Sequence, residues 1–363
     1  MGVSSAIAGA LFALILLTAG QTRASGQSEN RAPSGVMASA PNAIICSRQV
    51  EIVEATPDAM VASLNDRGLT YTARGEYDCA IQQFDRAIEL KPESSILFNN
   101  RGVTYRKKGE LERAMEDYDR ALYLEPENAE ALNNRGSAYF VMKQFDRAIE
   151  DFSQALSLKP DYAEALNNRG GAHARKGDLV LAMQDYSQAI RFNPECIAAH
   201  YNLGVAYLRM GNNDGAIAEF DQSIHLNPKF AEAYNNRGAA LNAEGKRTQA
   251  IDDFSKAIRL QPDYAEAHYN RALAFYNSDQ RDRAIQDFND AIRAKPNYPE
   301  AFNNRGSVYA ELGQLDRAIQ DFDEALRLAP DYSNAERNRT RAYSQKAERE
   351  RIAQNPNAAA GQE

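Results

Sequence analysis

Tryptophan is absent from this 363-residue chain, and cysteine and histidine number only 3 and 4. So few cysteines cannot frame a disulfide scaffold, and four scattered histidines do not gather a metal-ligand set. No lysine-rich block occurs. Instead 50 Asp+Glu outweigh 42 Lys+Arg, for a net charge of -8, which argues against nucleic acid as a partner. Hydrophobic residues at 44% and charged residues at 25% fit neither wholesale disorder nor a polytopic membrane protein. Tyr 18 and Phe 14 beside no Trp point to one unit copied many times.

The prolines supply the period. Pro92, Pro126, Pro160, Pro194, Pro228, Pro262, Pro296 and Pro330 recur every 34 residues, a spacing that signals a helix-turn-helix array. The units run 61–94, 95–128, 129–162, 163–196, 197–230, 231–264, 265–298 and 299–332. In the third unit Leu132, Gly136 and Tyr139 share one helical face, and Phe145, Ala148, Phe152, Ala155 and Leu158 share another. The eighth-place glycines, such as Gly136, sit in mid-helix, where glycine costs about 1 kcal/mol relative to Ala. That cost implies two helices touching nearly backbone to backbone, beside the twentieth-place alanine and the twenty-fourth-place aromatic. A turn glycine suits a helix end of positive φ, though Lys143 and Asp279 replace it in two units. Each closing proline stops the second helix, and Asp161, Asp263 or Asp331 is placed to cap the next.

The pattern of Gly eighth, Tyr eleventh, Ala twentieth, aromatic twenty-fourth, Ala twenty-seventh and Pro thirty-second resembles the tetratricopeptide repeat family. The resemblance implies an all-α, right-handed superhelical solenoid of eight units that binds a protein or extended peptide in its concave groove. His173 and Leu241 depart from the eleventh-place aromatic and Ala272 from the eighth-place glycine, each a soft change within one unit.

The ends read differently. Residues 1–24 form a signal peptide or an N-terminal anchor: the stretch 1–22 is uncharged, apolar from Ala6 to Leu17, and lacks the usual leading Lys or Arg. Export, to the periplasm if the source is bacterial, follows from a cleaved signal. A retained segment would be a membrane tether through residues 1–22, long enough to span a bilayer. Residues 25–42 form a flexible linker. Residues 43–57 resemble a half-repeat, a second helix without its first, with Pro57 as its closing proline. Residues 333–351 form a capping helix, with Glu336, Arg339 and Thr340 where the units are apolar or Gly, and 352–363 a disordered tail. Cys46 and Cys79 are the pair that could oxidise; the alternative is that Cys79 and Cys196 are tolerated repeat variants.

No chemistry gathers anywhere. There is no phosphate loop and no nucleophile elbow. His173, His200, His225 and His268 lie in four different units and read as packing variants. The expectation is a non-enzymatic scaffold with no cofactor, no metal and no small-molecule substrate. Two other roles stay open, a recruiting subunit of a separate transferase or an architectural part of an envelope assembly.

Two registers remain unexplained by packing. Asn100, Asn134, Asn168, Asn202, Asn236, Asn270 and Asn304 hold the sixth place of the first helix, although asparagine is a poor interior helix residue. They form either a ladder of amides for a peptide backbone, similar to that of the repeats of O-linked N-acetylglucosamine transferase, or a set of helix–helix hydrogen bonds copied with the unit. Around them Lys107, Arg175 and Arg209 make the groove basic near its middle, while Glu232, Glu266, Glu300 and Glu311 make it acidic toward its end; the alternative is a mixed solvated surface. At the seventh place stand Arg101, Arg135, Arg169, Arg237, Arg271 and Arg305. A buried charge left unpaired costs about 3 to 5 kcal/mol, so each is expected to pair with a second-helix acid, namely Asp117, Asp151, Asp185, Asp253, Asp287 or Asp321.

Overall fold

The computed structural model describes residues 56–354. Among them are seventeen helices and no strand, and contacts divide them between Asn202 and Leu203 into two bodies. In the first body the helix pairs are α1 (Pro57–Arg74) with α2 (Tyr77–Leu90), α3 (Ser95–Lys108) with α4 (Leu111–Leu124), α5 (Ala129–Val141) with α6 (Phe145–Leu158), and α7 (Ala163–Lys176) with α8 (Leu179–Phe192). Helix α9 (Ile197–Arg209) contains the division. In the second body, after α10 (Asn213–Leu226), come α11 (Ala231–Ala243) with α12 (Arg247–Leu260), α13 (Ala265–Tyr276) with α14 (Arg281–Ala294), and α15 (Pro299–Glu311) with α16 (Leu315–Leu328). A long helix, α17 (Ser333–Gln354), ends the array. Within each body every pair packs on the next, as the period of 34 requires.

The local chemistry explains the pairing. A Cβ on Gly136 would lie 2.8 Å from Phe152 Cε1 and 3.2 Å from the Ala148 carbonyl oxygen. The eighth, twentieth and twenty-fourth places are thus the point of closest approach, and Ala148 and Phe152 are wholly buried there. The turns behave alike whether or not glycine is present. Gly109 and Gly177 have φ of 93° and 96°, and Lys143 and Asp279 take the same left-handed conformation at 60° and 58°. The turn geometry is therefore imposed by the pair of helices, and the two non-glycine residues carry the strain.

Two boundaries differ from those expected. Pro57 opens the first helix of the described residues. It stands at the first position of α1, where its missing N–H costs nothing, and the Thr56 hydroxyl accepts from the Ala59 N–H at 3.3 Å. Asp161 and Asp263 do not cap the helices after them. The N-cap positions are Tyr162 and Tyr264, without a side-chain cap bond, because the tight turn after each proline places the aspartate one residue too early. The segments 1–24, 25–42 and 43–55, and with them Cys46, lie outside the described residues, as do residues 355–363.

Candidate functional site

The arginine register closes into rungs. Arg101 Nε and Nη2 donate to Asp117 at 2.8 and 2.7 Å, a bidentate fork. Arg135 with Asp151, Arg169 with Asp185, Arg237 with Asp253, Arg271 with Asp287 and Arg305 with Asp321 repeat it. The acids are almost fully buried. A third bond was not legible in the sequence: Nη1 of the same guanidinium reaches the twenty-fifth place of the preceding unit, Asp85, Asp119 and Ser153 in the first body and Asp221, Ser255 and Asn289 in the second. Each arginine therefore ties three helices. Burial pushes the Asp117, Asp151, Asp253 and Asp321 carboxyls up, more than the guanidinium pulls them down. Asp287 is held below the usual range despite burial, because Arg271 and His268 both face it.

The asparagine register closes between units rather than toward a vacant groove. Asn100 Nδ2 donates to Asn65 Oδ1 at 2.9 Å, Asn134 to Asn99 at 2.9 Å, Asn168 to Asn133 at 3.1 Å and Asn202 to Asn167 at 3.0 Å. In the second body Asn270 donates to Asn235 at 3.0 Å, Asn304 to the Tyr269 hydroxyl at 2.8 Å, and Asn338 of α17 to Asn303 at 2.9 Å. Asn168, Asn202 and Asn236 are buried at 2%, 2% and 4% exposure, so a peptide cannot reach their edges freely. The intermediate exposure of Asn100, Asn134, Asn270 and Asn304 leaves part of each amide open. The fifth-place acceptors Asn65, Asn99, Asn133, Asn167, Asn235 and Asn303 carry no helical-stripe signal, since they lie one position off the stripe and act across helices.

The cations differ among themselves. Lys107 is half-buried, with its ammonium pKa pushed down by burial and by neighbouring Arg106, and no carboxylate among the described residues pairs with it. Arg106, not singled out by sequence, has its Nε buried with no hydrogen-bond partner among the described residues. Arg175 is exposed and lies over the Phe145 ring at 5.7 Å. Arg209 is already engaged. The acids of the second body are partly neutralised: Glu266 pairs with Lys295 at 3.1 Å, and Glu311 with Arg281 at 3.3 Å while accepting from the Tyr276 hydroxyl.

His200 and His268 are buried and bound into the fold, whereas His225, expected as a packing variant, is exposed. His268 Nε2 donates to the Pro262 carbonyl at 3.0 Å, and Nδ1 stands 3.6 Å from Asp287 Oδ1. His268, Asp287 and Asp290 could geometrically surround a metal ion, but Asp287 already holds Arg271 and Asp290 holds Arg293 at 2.7 Å. A cation there would compete with two guanidinium groups. His200 makes the same bond, to the Pro194 carbonyl at 3.0 Å. Cys79 is disulfide-bonded and Cys196 is free. No described helix is long and apolar enough to cross a membrane.

With paired helices at a period of 34, the chain belongs to the tetratricopeptide repeat family. Models of the tetratricopeptide repeat match 129–162, 197–230 and 269–333, and a model described as TPR repeat matches 68–109, 104–143, 172–211 and 238–279, together more than half the chain. Proteins of this class serve generally as protein-interaction scaffolds. Solved structures agree on the fold. A chain of the APC/C hetero-tetramer Cut9-Hcn1 is 19% identical with a TM-score of 0.59, over 77% of this chain and 55% of that one. The chain thus spans about half the length of that relative. A tetratricopeptide repeat protein from Parabacteroides merdae is 23% identical (TM-score 0.50, 65% and 93% covered). PilF of Pseudomonas aeruginosa is 20% identical (TM-score 0.55, 60% and 99% covered). No curated protein gives a sequence match.

Proposed function

We propose that the first body binds an extended, acidic segment of a partner protein along the inner faces of α3, α5 and α7. The observation that carries this is the pair Arg106 and Lys107: Lys107 is partly desolvated with no carboxylate paired to it among the described residues, and Arg106, whose charge acts on the half-buried Glu164 carboxyl, keeps its Nε buried without a hydrogen-bond partner, in a chain that satisfies its other buried guanidiniums with paired acids. An anion brought to them restores what burial took away. Val103, Ser137 and Gly171 line the adjoining row with small or aliphatic side chains, which lets a backbone approach. The open edges of Asn100 and Asn134 can donate a second N–H to peptide carbonyls. Arg175 supplies a further charge one unit on from the exposed Val141. The rest of the amide ladder holds the units in register and does not contact the ligand. The chain is in this reading a non-enzymatic scaffold, exported by its N-terminal segment.

Each net hydrogen bond contributes about 0.5 to 1.5 kcal/mol against an association cost of at least about 4 kcal/mol, so binding is weak and salt-dependent. Fluorescence anisotropy with a labelled twelve-residue Glu/Ala peptide and its Lys/Ala counterpart tests it. The acidic peptide is expected to bind, with Lys107→Glu/Arg175→Glu weakening it at least about tenfold, or about 1.4 kcal/mol. Equal binding of both peptides, or no change in the double variant, refutes the reading.

A further inference from the structure

Some units close on a tyrosine at the thirty-fourth place, and in two of them a lysine stands three residues before it. In the third unit the Lys159 ammonium lies 4.9 Å over the Tyr162 ring, and in the seventh the Lys295 ammonium lies 4.5 Å over the Tyr298 ring. Lys295 also pairs at 3.1 Å with Glu266, a carboxylate 29 residues earlier in the first turn of α13. One ammonium thus fills a cradle made of a carboxylate and an aromatic face, both of which attract a cation.

The eighth unit has the same walls and lacks the cation. Glu300 stands in the first turn of α15 as Glu266 does in α13, and Tyr332 stands just before α17 as Tyr298 does before α15. The place of the lysine is taken by Ala329. Its backbone has φ -140° and ψ 87°, against -137° and 88° at Lys295, so a side chain leaves the main chain in the same direction and is only a methyl group. Glu300 is half-buried and has no ion pair or side-chain hydrogen bond among the described residues. Tyr332 is half-buried as well, which leaves the cradle open to a ligand. The two walls act on each other, since burial and then the Glu300 carboxylate push the Tyr332 phenol up. Tyr269 is a further phenol within reach of the same charge: burial, Tyr332 and Glu300 all push it up. Its hydroxyl accepts from Asn304 at 2.8 Å and its ring lies 4.9 Å from that of Tyr298, which fixes it in place. A carboxylate partly withdrawn from water among phenols gains from a cation that replaces the lost solvent.

We propose that Glu300 and Tyr332 bind the ammonium of a lysine side chain brought by a partner protein, with Glu300 as the paired carboxylate and the Tyr332 ring as the face beneath the charge. Lysine is chosen over arginine because the filled cradle one unit earlier holds lysine, and a compact ammonium, unlike a planar guanidinium, is what that geometry accepts. Acetylation of the partner's lysine removes the charge and with it the attraction. The site lies within the second body, so it stands or fails apart from the acidic-segment reading of the first.

One ammonium in one cradle is held weakly, so the probe is the capped tripeptide acetyl-Ala-Lys-Ala-amide at millimolar concentration. It is titrated into the full chain carrying carbon-13 in its tyrosine rings, with the Tyr332 signal assigned through Tyr332→Phe. A saturable shift of that signal is expected with this peptide and none with its Nε-acetyl-lysine counterpart. Glu300→Gln keeps the shape and drops the charge, and is expected to weaken binding at least about fivefold. Ala329→Lys is expected to abolish binding by filling the cradle from within the chain. Absence of a saturable shift, an equal shift with the acetylated peptide, or unchanged binding in either variant overturns the assignment.

Discussion

Removing Asp253 tests whether the arginine rungs carry stability. Its two oxygens accept from Arg237 Nε and Nη2, both at 2.7 Å, and the residue is 6% exposed. Asp253→Ala leaves Arg237 with Asp221 alone, at 2.6 Å but with half of the Asp221 side chain in solvent. Breaking a buried pair by deleting one partner costs about 3 to 5 kcal/mol. The surviving Asp221 contact and the partial exposure of Arg237 place the expected loss nearer about 2 to 4 kcal/mol, using the same range. Asp221→Ala, which removes the exposed arm, is expected to cost about 0 to 1 kcal/mol. Replacing both members, Arg237→Leu/Asp253→Leu, should recover most of the loss, because apolar groups of similar size need no partner. Urea unfolding followed by circular dichroism measures all three, with hydrogen exchange in α11 and α12 showing whether the loss is local. A cost below about 1 kcal/mol for Asp253→Ala, or a double variant as unstable as the sum of its singles, refutes the reasoning.

Two further outcomes follow from the same geometry. Asn134→Asp removes the donor to Asn99 and sets a carboxylate against its carbonyl oxygen; urea unfolding is expected to show a loss of about 1 to 3 kcal/mol, and an unchanged midpoint would return the ladder to the surface. Burial pulls the His268 pKa down, but the Asp287 carboxylate and the Pro262 carbonyl outweigh it and hold it above the ordinary 6.5. A folded value raised in this way gives stability that is full below about pH 6.5 and lost as pH rises through the folded pKa. The wild type should therefore lead His268→Leu most on the acid side, and a lead that grows with rising pH would contradict the assignment.

The sequence carried the period, the helix pairing and the six Arg–Asp rungs, because each recurs with one residue type at one place. It did not carry the third arm of the arginine, since Asp85, Ser153 and Asn289 share only the capacity to accept a hydrogen bond. The asparagine ladder was seen from one side. A stripe drawn on a single helix finds Asn134, whereas its acceptor Asn99 lies 35 residues away on another, where helical periodicity says nothing. Arg106 was passed over because its unit-mates at the twelfth place are Phe140 and Ala174, so no register marks it. That Pro57 begins a helix was not legible, because proline reads equally as the residue that ends one, and the Thr56 cap marks the start of α1.

The constancy of the two spacings bears on how such a chain can change over generations. A rung arm always spans 16 residues and an amide bond between units nearly always 35. One residue inserted within a unit shifts an arginine away from its acid and an amide away from its acceptor at once, leaving a guanidinium stranded in a buried seam. A whole unit inserted restores every partner. Heritable length change in this chain is therefore quantised, and its ancestry is expected to be written in duplications of 34 residues rather than in small insertions.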